Sequence, residues 1–308
     1  SGGGGSGGGP FNPVEEALLA EKCLPENRNQ IFAVNSCVGS IMGSLGALAS
    51  GLPQFLQEDR GWSAVESYKP LFLLTIAFSV VLLFVYRGIN EQHQPRKTER
   101  KMSKSTGAFV TKMSALSIVD NFGAGMAGAL VPYWFFLRFG VELKSLGIIF
   151  FASYFLAALS FLSAPVIARK IGVVRTMAFS HGLASLIWLC LPFASILNVA
   201  AALIVTRSFF AYMDNPLRAS FTMAMVKSEE RGSAAGVTSL ARIVPFGISP
   251  TISTYLMQTV SLTLPLFIGG GLQLINDVAF FLMFRHVRPP EELAASRLEG
   301  AAVEKLRR

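Results

Sequence analysis

Charge is scarce in this sequence. Lys, Arg, Asp and Glu make up only 15% of its 308 residues, against about 25% in soluble domains. Cysteine is scarcer still. Cys23, Cys37 and Cys190 are odd in number and show no metal-ligand spacing, which speaks against a disulfide framework and against a structural metal site. No His, Asp, Glu and Cys residues cluster as they do in a metal centre, and no nucleophile stands beside a base. The glycine run Gly269-Gly270-Gly271 lies in an apolar stretch, without the strand and the charged surroundings of a phosphate loop. These absences leave no cofactor, no metal and no enzyme active site to predict. No polar segment is long enough to house an ATPase, which favours processes driven by a gradient over processes driven by ATP.

What the chain has is apolar residues, 52% of the total, gathered into long runs. A bilayer core takes about 20 apolar residues per helix. Eight runs meet that length: 30–52, 68–86, 112–137, 145–168, 176–193, 196–215, 234–257 and 263–284. Barrel strands are about ten residues long and alternate in polarity, so these are helices. The expected fold class is an all-α integral membrane protein of about eight transmembrane helices.

The net charge of +8 sits in the short segments between the runs, which is a membrane topology pattern and not a nucleic-acid surface. With eight crossings, 21 Lys and Arg fall on one side and four (Arg60, Lys69, Arg138 and Lys144) on the other. The positive-inside rule then places both termini in the cytoplasm, and the expected location is the plasma membrane. The stretch 87–111 is basic and polar and reads as a cytoplasmic linker, with a secondary capacity to bind anionic lipid. It divides 12–86, two helices, from 112–284, six helices. Residues 285–308 form a tail. Residues 1–11 begin SGGGGSGGG, a flexible linker by composition or the remnant of a truncated helix.

An internal repeat is visible at an offset of about 200 residues. Asn12-Pro13 recurs as Asn215-Pro216, Glu26 and Arg28 as Glu229 and Arg231, and Val34 and Ser36 as Val237 and Ser239. Each block reads as a helix end, a charged turn and a new helix. The loop after the fourth run is Ala168-Arg169-Lys170-Ile171-Gly172-Val173-Val174-Arg175. Together these features resemble the major facilitator superfamily, whose two six-helix bundles are joined by a cytoplasmic loop. The family signature in such a loop is roughly Gly-x-x-x-Asp-Arg-x-Gly-Arg-Lys. Gly172 and Lys170 match its turn glycine and a basic residue, and Arg169 replaces the usual Asp. The resemblance implies helices five to twelve of a twelve-helix transporter, with 12–86 a partial first bundle.

Charges inside a bilayer are costly, roughly 2.5–3.5 kcal/mol each on insertion scales, so they face a cavity or one another. Five lie within the runs: Asp120, Arg207, Asp214, Arg242 and Asp277. They are the candidates for a gate, a coupling network or an interhelical pair. Asn121 and the glycines after it suit a cavity-lining or closely packed helix. Arg207 is nearest the midplane, where a guanidinium suits an anionic solute. Burial favours the protonated form of a carboxyl, which makes the three aspartates candidates for proton exchange. Pro245, Gly247 and Pro250 weaken one helical ladder and mark a hinge or a static kink. His181, alone in an apolar run, reads as a packing residue. Tyr133, Trp134 and Arg138 read as interfacial anchors, and Gly39, Gly43 and Gly46 as a packing stripe. The function expected is secondary active transport of a small solute by alternating access, with proton coupling. The alternative is a non-transporting membrane sensor or assembly partner, or an inactive transporter fragment.

Overall fold

The computed structural model describes residues 19–20, 23–24, 27–87 and 102–287. The expectations for 1–11, for Asn12-Pro13, for most of the basic linker and for the tail beyond 287 lie outside these residues. Among the described residues every regular element is a helix. The helices are α1 (Arg28–Ala49), α2 (Leu52–Arg60), α3 (Ala64–Arg87), α4 (Lys104–Gly128), α5 (Val131–Phe139), α6 (Leu143–Ile171), α7 (Val173–Cys190), α8 (Leu197–Met225), α9 (Arg231–Thr259) and α10 (Leu264–Phe284). Six candidate spans are long and apolar enough to cross a membrane: 28–60, 64–85, 104–139, 143–171, 173–193 and 264–284. Helices α8 and α9 have 29 residues each and the length to cross.

Two of the eight runs break near one end by the same device. Helix α1 gives way to α2 at Ser50-Gly51, and α4 gives way to α5 at Ala129-Leu130. Pro53 and Pro132 start the short helices, where the missing N–H costs nothing. Gly61 and Gly140 end them at φ +67° and +66°, the left-handed cap that glycine adopts without strain.

The bundle is inside-out relative to a soluble protein. Val278, Leu282, Leu240, Val244, Phe179 and Leu183 point outward, while Ser153, Ser160, Ser185, Ser249, Asn276 and Asp277 are buried. Helix α3 is the extreme case: none of its central window is buried, and its start packs on α2, where Gln57 donates to Ser67 at 2.8 Å. A helix that is apolar all round suits lipid or other membrane helices.

Packing pairs α4 with α9 and α10, α7 with α8 and α10, and α6 with α8 and α1. The start of α4 is tied to the start of α9: Glu230 accepts from the Ser103 N–H at 2.7 Å and from its hydroxyl at 3.0 Å. Farther along, Ser253 of α9 donates to the Met126 carbonyl at 2.7 Å. These two helices therefore run parallel. At the opposite end Gln54 donates to Glu142 and accepts from the Lys144 N–H, both at 2.9 Å.

Small residues set the close approaches. A Cβ on Gly123 would meet the Gly269 carbonyl at 2.8 Å, and one on Gly270 would meet the Trp188 Cβ at 2.9 Å. A Cβ on Gly125 would collide with Ser249 of α9. The stripe on α1 differs from expectation. Gly39, Gly43 and Gly46 have open space beside them, and α1 packs instead through Ser36, Cys37, Ser40 and Ser44, with Ser40 donating to the Tyr154 carbonyl at 2.7 Å. Serine is as small as the contact requires, and its hydroxyl gains an acceptor.

The matched arginines of the repeat fall at equivalent places: Arg28 opens α1 and Arg231 opens α9. Asn215-Pro216 does not end a helix. Both residues lie inside α8, which continues to Met225. Proline needs no break there, because the surrounding helices hold the segment.

Candidate functional site

Two apolar cores occupy the two ends of the bundle. The one toward the Lys/Arg-rich end joins Met113, Leu116, Met177, Leu217, Phe221, Phe280 and Phe284. Phe109, Phe221 and Phe284 meet there edge to face at 5.8–5.9 Å. The other core joins Ala127, Val131, Trp134, Phe135, Trp188, Leu191 and Leu266. Trp134 is fully buried in it. The expected interfacial anchor is thus a core residue, and Tyr133 beside it is the exposed one.

Between the cores lies a layer of polar side chains. Four helices each present a stripe to it at helical spacing. Helix α4 gives Ser117 and Asp120. Helix α7 gives His181, Ser185 and, one turn on, Trp188. Helix α8 gives Arg207, Asp214 and Arg218, all on one face at steps of about seven and four residues. Helix α10 gives Gln273, Asn276 and Asp277.

His181 is the hub. Its Nδ1 lies 2.7 Å from Asp277 Oδ1, and its Nε2 lies 3.7 Å from Asp120 Oδ1. Ser185 donates to the other Asp277 oxygen at 2.7 Å. Gln273 donates to Asp120 at 3.4 Å. The layer thereby stitches α4, α7 and α10. On α8, Arg218 donates through Nε and Nη2 to one Asp214 oxygen at 3.0 and 2.7 Å. The Arg218 guanidinium lies 5.1 Å from the Phe280 ring centre, within cation–π range. Arg207 stacks over Trp188 at 4.1 Å.

Of the predicted site residues, Asp120 and Asp277 meet through His181. Asp214 joins Arg218, and Arg207 lies over Trp188 with no ion pair among the described residues. Asn121 donates to the Ser117 carbonyl of its own helix at 2.9 Å, which satisfies it locally. Arg242 is half-buried on α9 and makes no ion pair among the described residues. Helix α9 runs unbroken through Pro245, Gly247 and Pro250. Gly172 turns the chain between α6 and α7 at φ +92°, ψ 151°, a region essentially reserved for glycine. Arg169, Lys170 and Arg175 around it are exposed.

Sequence reasoning missed two members. His181 is a bridge and not a packing residue, and its signal was the i, i+4, i+7 stripe with Ser185 and Trp188. Arg218 is not in a loop: α8 carries it inside the bundle, and its signal was Asp214 four residues earlier. The helices are also longer than the apolar runs, so Asp120 and Asp214 lie deeper than runs counted from residue 112 or to residue 215 suggest.

Several buried polar atoms of the layer have no protein partner: Arg207 Nε, Arg218 Nη1, Asp214 Oδ1, Gln273 Oε1 and both amide atoms of Asn276. Unpaired groups at this depth cost free energy. They mark the layer as a place built for something other than packing.

The sequence model of the Major Facilitator Superfamily matches residues 3–197 and 113–307. The chain belongs to the Major Facilitator Superfamily. This transporter is 24% identical to an uncharacterized membrane protein of Saccharomyces cerevisiae over 313 aligned positions, 90% of the chain and 70% of the yeast protein. Its fold resembles the crystal structure of a bacterial homologue of the iron transporter ferroportin in an outward-facing state (TM-score 0.63, 15% identity, 87% of this chain and 68% of that one). It also resembles the human organic anion transporter MFSD10 (TETRAN), with a TM-score of 0.65, 15% identity, and 87% and 67% of the two chains covered. The protein is thus a multi-pass membrane transporter of small molecules, with the helical fold expected from its sequence.

Proposed function

We propose that this transporter is a secondary carrier of a small anionic solute, working by alternating access and driven by a proton gradient. The observation that carries the reading is Arg207. A guanidinium deep in the bundle, stacked on Trp188 and facing no carboxylate within ion-pair distance, suits a carboxylate or phosphate of the solute. The human relative in fold is named an organic anion transporter, which agrees with this choice. The carboxylates Asp120, Asp214 and Asp277 and their partners form the coupling layer, and Arg242 on α9 faces the same bundle as a gating charge. Opposite charges hold the layer shut, and proton uptake or release relaxes it.

The two apolar cores above and below serve as the closures. Pro245, Gly247 and Pro250 supply the bend in α9 as the helices rock. Residues 12–86 act as part of one bundle and 112–284 as the other. The excess of Lys and Arg at one end supports a plasma-membrane protein with both termini in the cytoplasm. There the basic linker meets anionic headgroups.

The test is transport by reconstituted protein. A panel of small organic anions offered to proteoliposomes under an imposed pH gradient is expected to include at least one that accumulates. Arg207→Gln is expected to lower its uptake at least tenfold while neutral solutes bind no better. Uptake confined to cations or neutral compounds would overturn the anionic reading.

A further inference from the structure

The charges of the polar layer do not balance without a proton. Asp120, Asp214 and Asp277 supply three carboxylates, and Arg207 and Arg218 two guanidinium groups. The remaining group is His181, 7% exposed, with both ring nitrogens directed at carboxylate oxygens. A neutral imidazole has one N–H and one lone pair. It would satisfy one aspartate and turn its lone pair on the other. With the three aspartates ionised, the imidazolium donates on both sides and brings the layer to neutrality.

We infer that His181 is the proton-binding site of this transporter, with Asp277 as its close counter-ion and Asp120 as the contact that the proton makes or breaks. This deepens the reading of a proton-driven carrier and rests on it. The two contacts are unequal. At 2.7 Å the Asp277 bond is a short charge-assisted hydrogen bond, reinforced by Ser185 on the second oxygen. At 3.7 Å the Asp120 contact is the loose one. The proton that leaves is therefore the one on Nε2. Its departure sets a lone pair against the Asp120 carboxylate, and α4 loses its charge link to α7. Asp277 keeps the Nδ1 proton, so α7 and α10 stay joined. Proton release thereby loosens α4 from α7, while α4 keeps its glycine contact and the Gln273 bond with α10.

All the helices around His181 have been counted in this balance. Asp120 comes from α4, Asp277 from α10, and Asp214, Arg207, Arg218 and the phenol of Tyr212 from α8. Helix α6 brings Arg169 and Lys170 at its exposed end, and α7 itself brings Arg175, exposed and nearly two turns away. None of the last three faces the imidazole.

The test uses the chain's small histidine count. His93, His181 and His286 are the three, so a His93→Gln/His286→Gln variant of the full chain, labelled with ¹⁵N-histidine and held in lipid nanodiscs, reports His181 alone. The ¹⁵N shifts of Nδ1 and Nε2 separate the imidazolium from either neutral tautomer. At about pH 7, near the unperturbed histidine range, both nitrogens are expected to be protonated. The imidazolium fraction is expected to fall in Asp277→Asn and to fall less in Asp120→Asn. A neutral tautomer in the otherwise native layer at that pH, or an imidazolium indifferent to Asp277→Asn, overturns the assignment. The outcome is separable from the transport reading. A neutral His181 in a protein that still moves solute under a pH gradient removes the site and leaves the coupling, whereas a protonated His181 in a gradient-indifferent carrier does the reverse.

Discussion

At the scale of single residues, the pair on α8 is the most exposed to a stability test. Arg218 and Asp214 are joined at 2.7 Å in the bundle interior. Removing one partner strands the other as a buried charge, at a cost of about 3–5 kcal/mol. Arg218→Ala and Asp214→Ala are each expected to lower the thermal unfolding temperature in detergent, and the paired variant is expected to lose less than their sum. Additive losses would show that the two residues do not depend on one another. The aspartates and Arg207 were legible in the sequence because charge within an apolar run is rare and conspicuous. His181 and Arg218 were not. A neutral histidine costs little to bury, so nothing in its neighbourhood announced a partner 96 positions away. Arg218 follows Asn215-Pro216, and a charge after an Asn-Pro step looks like a loop although α8 continues to Met225.

Helices make the second level of the argument, and glycines decide it. Val in place of Gly123 or Gly269 would force α4 and α10 apart, since even a Cβ meets backbone at 2.8 Å or less. Overpacking of this kind costs about 1–3 kcal/mol. Gly43→Ala on the open face of α1 meets nothing within 4 Å and gains about 1 kcal/mol of helix propensity. Thermal melts of the variants should therefore move in opposite directions, and a Gly43→Ala loss matching Gly269→Val would show that the open face is covered.

The tie between Ser103 and Glu230 carries a pH signature. Hydrogen bonds from Thr106 and Ser103 hold the Glu230 carboxyl below its ordinary value of 4.5. Its contribution is present above that value and is lost as the pH falls through the lowered one. Glu230→Gln should abolish this acid-side component of the melting profile and lower the melting temperature at neutral pH toward the value that the unaltered chain reaches in acid.

The existence and order of the eight long helices were readable, because apolar length and loop charge are one-dimensional signals. Their true ends, the breaks at Ser50-Gly51 and Ala129-Leu130, and the choice of serine over glycine on α1 depend on neighbours brought together by folding.

For the molecule as a whole, the charged layer closed between two apolar cores is where the proposed carrier binds its solute and couples to protons. Membership in the Major Facilitator Superfamily establishes the transporter, and the layer supplies the proposed chemistry. The most direct measurement is proton movement itself. Proteoliposomes containing the chain and a luminal pH dye are given a panel of small organic anions with no other driving force. At least one anion is expected to change the luminal pH as it enters, with the response lost in Arg207→Gln. Solute entry with no proton movement, or the same response in Arg207→Gln, would contradict the account.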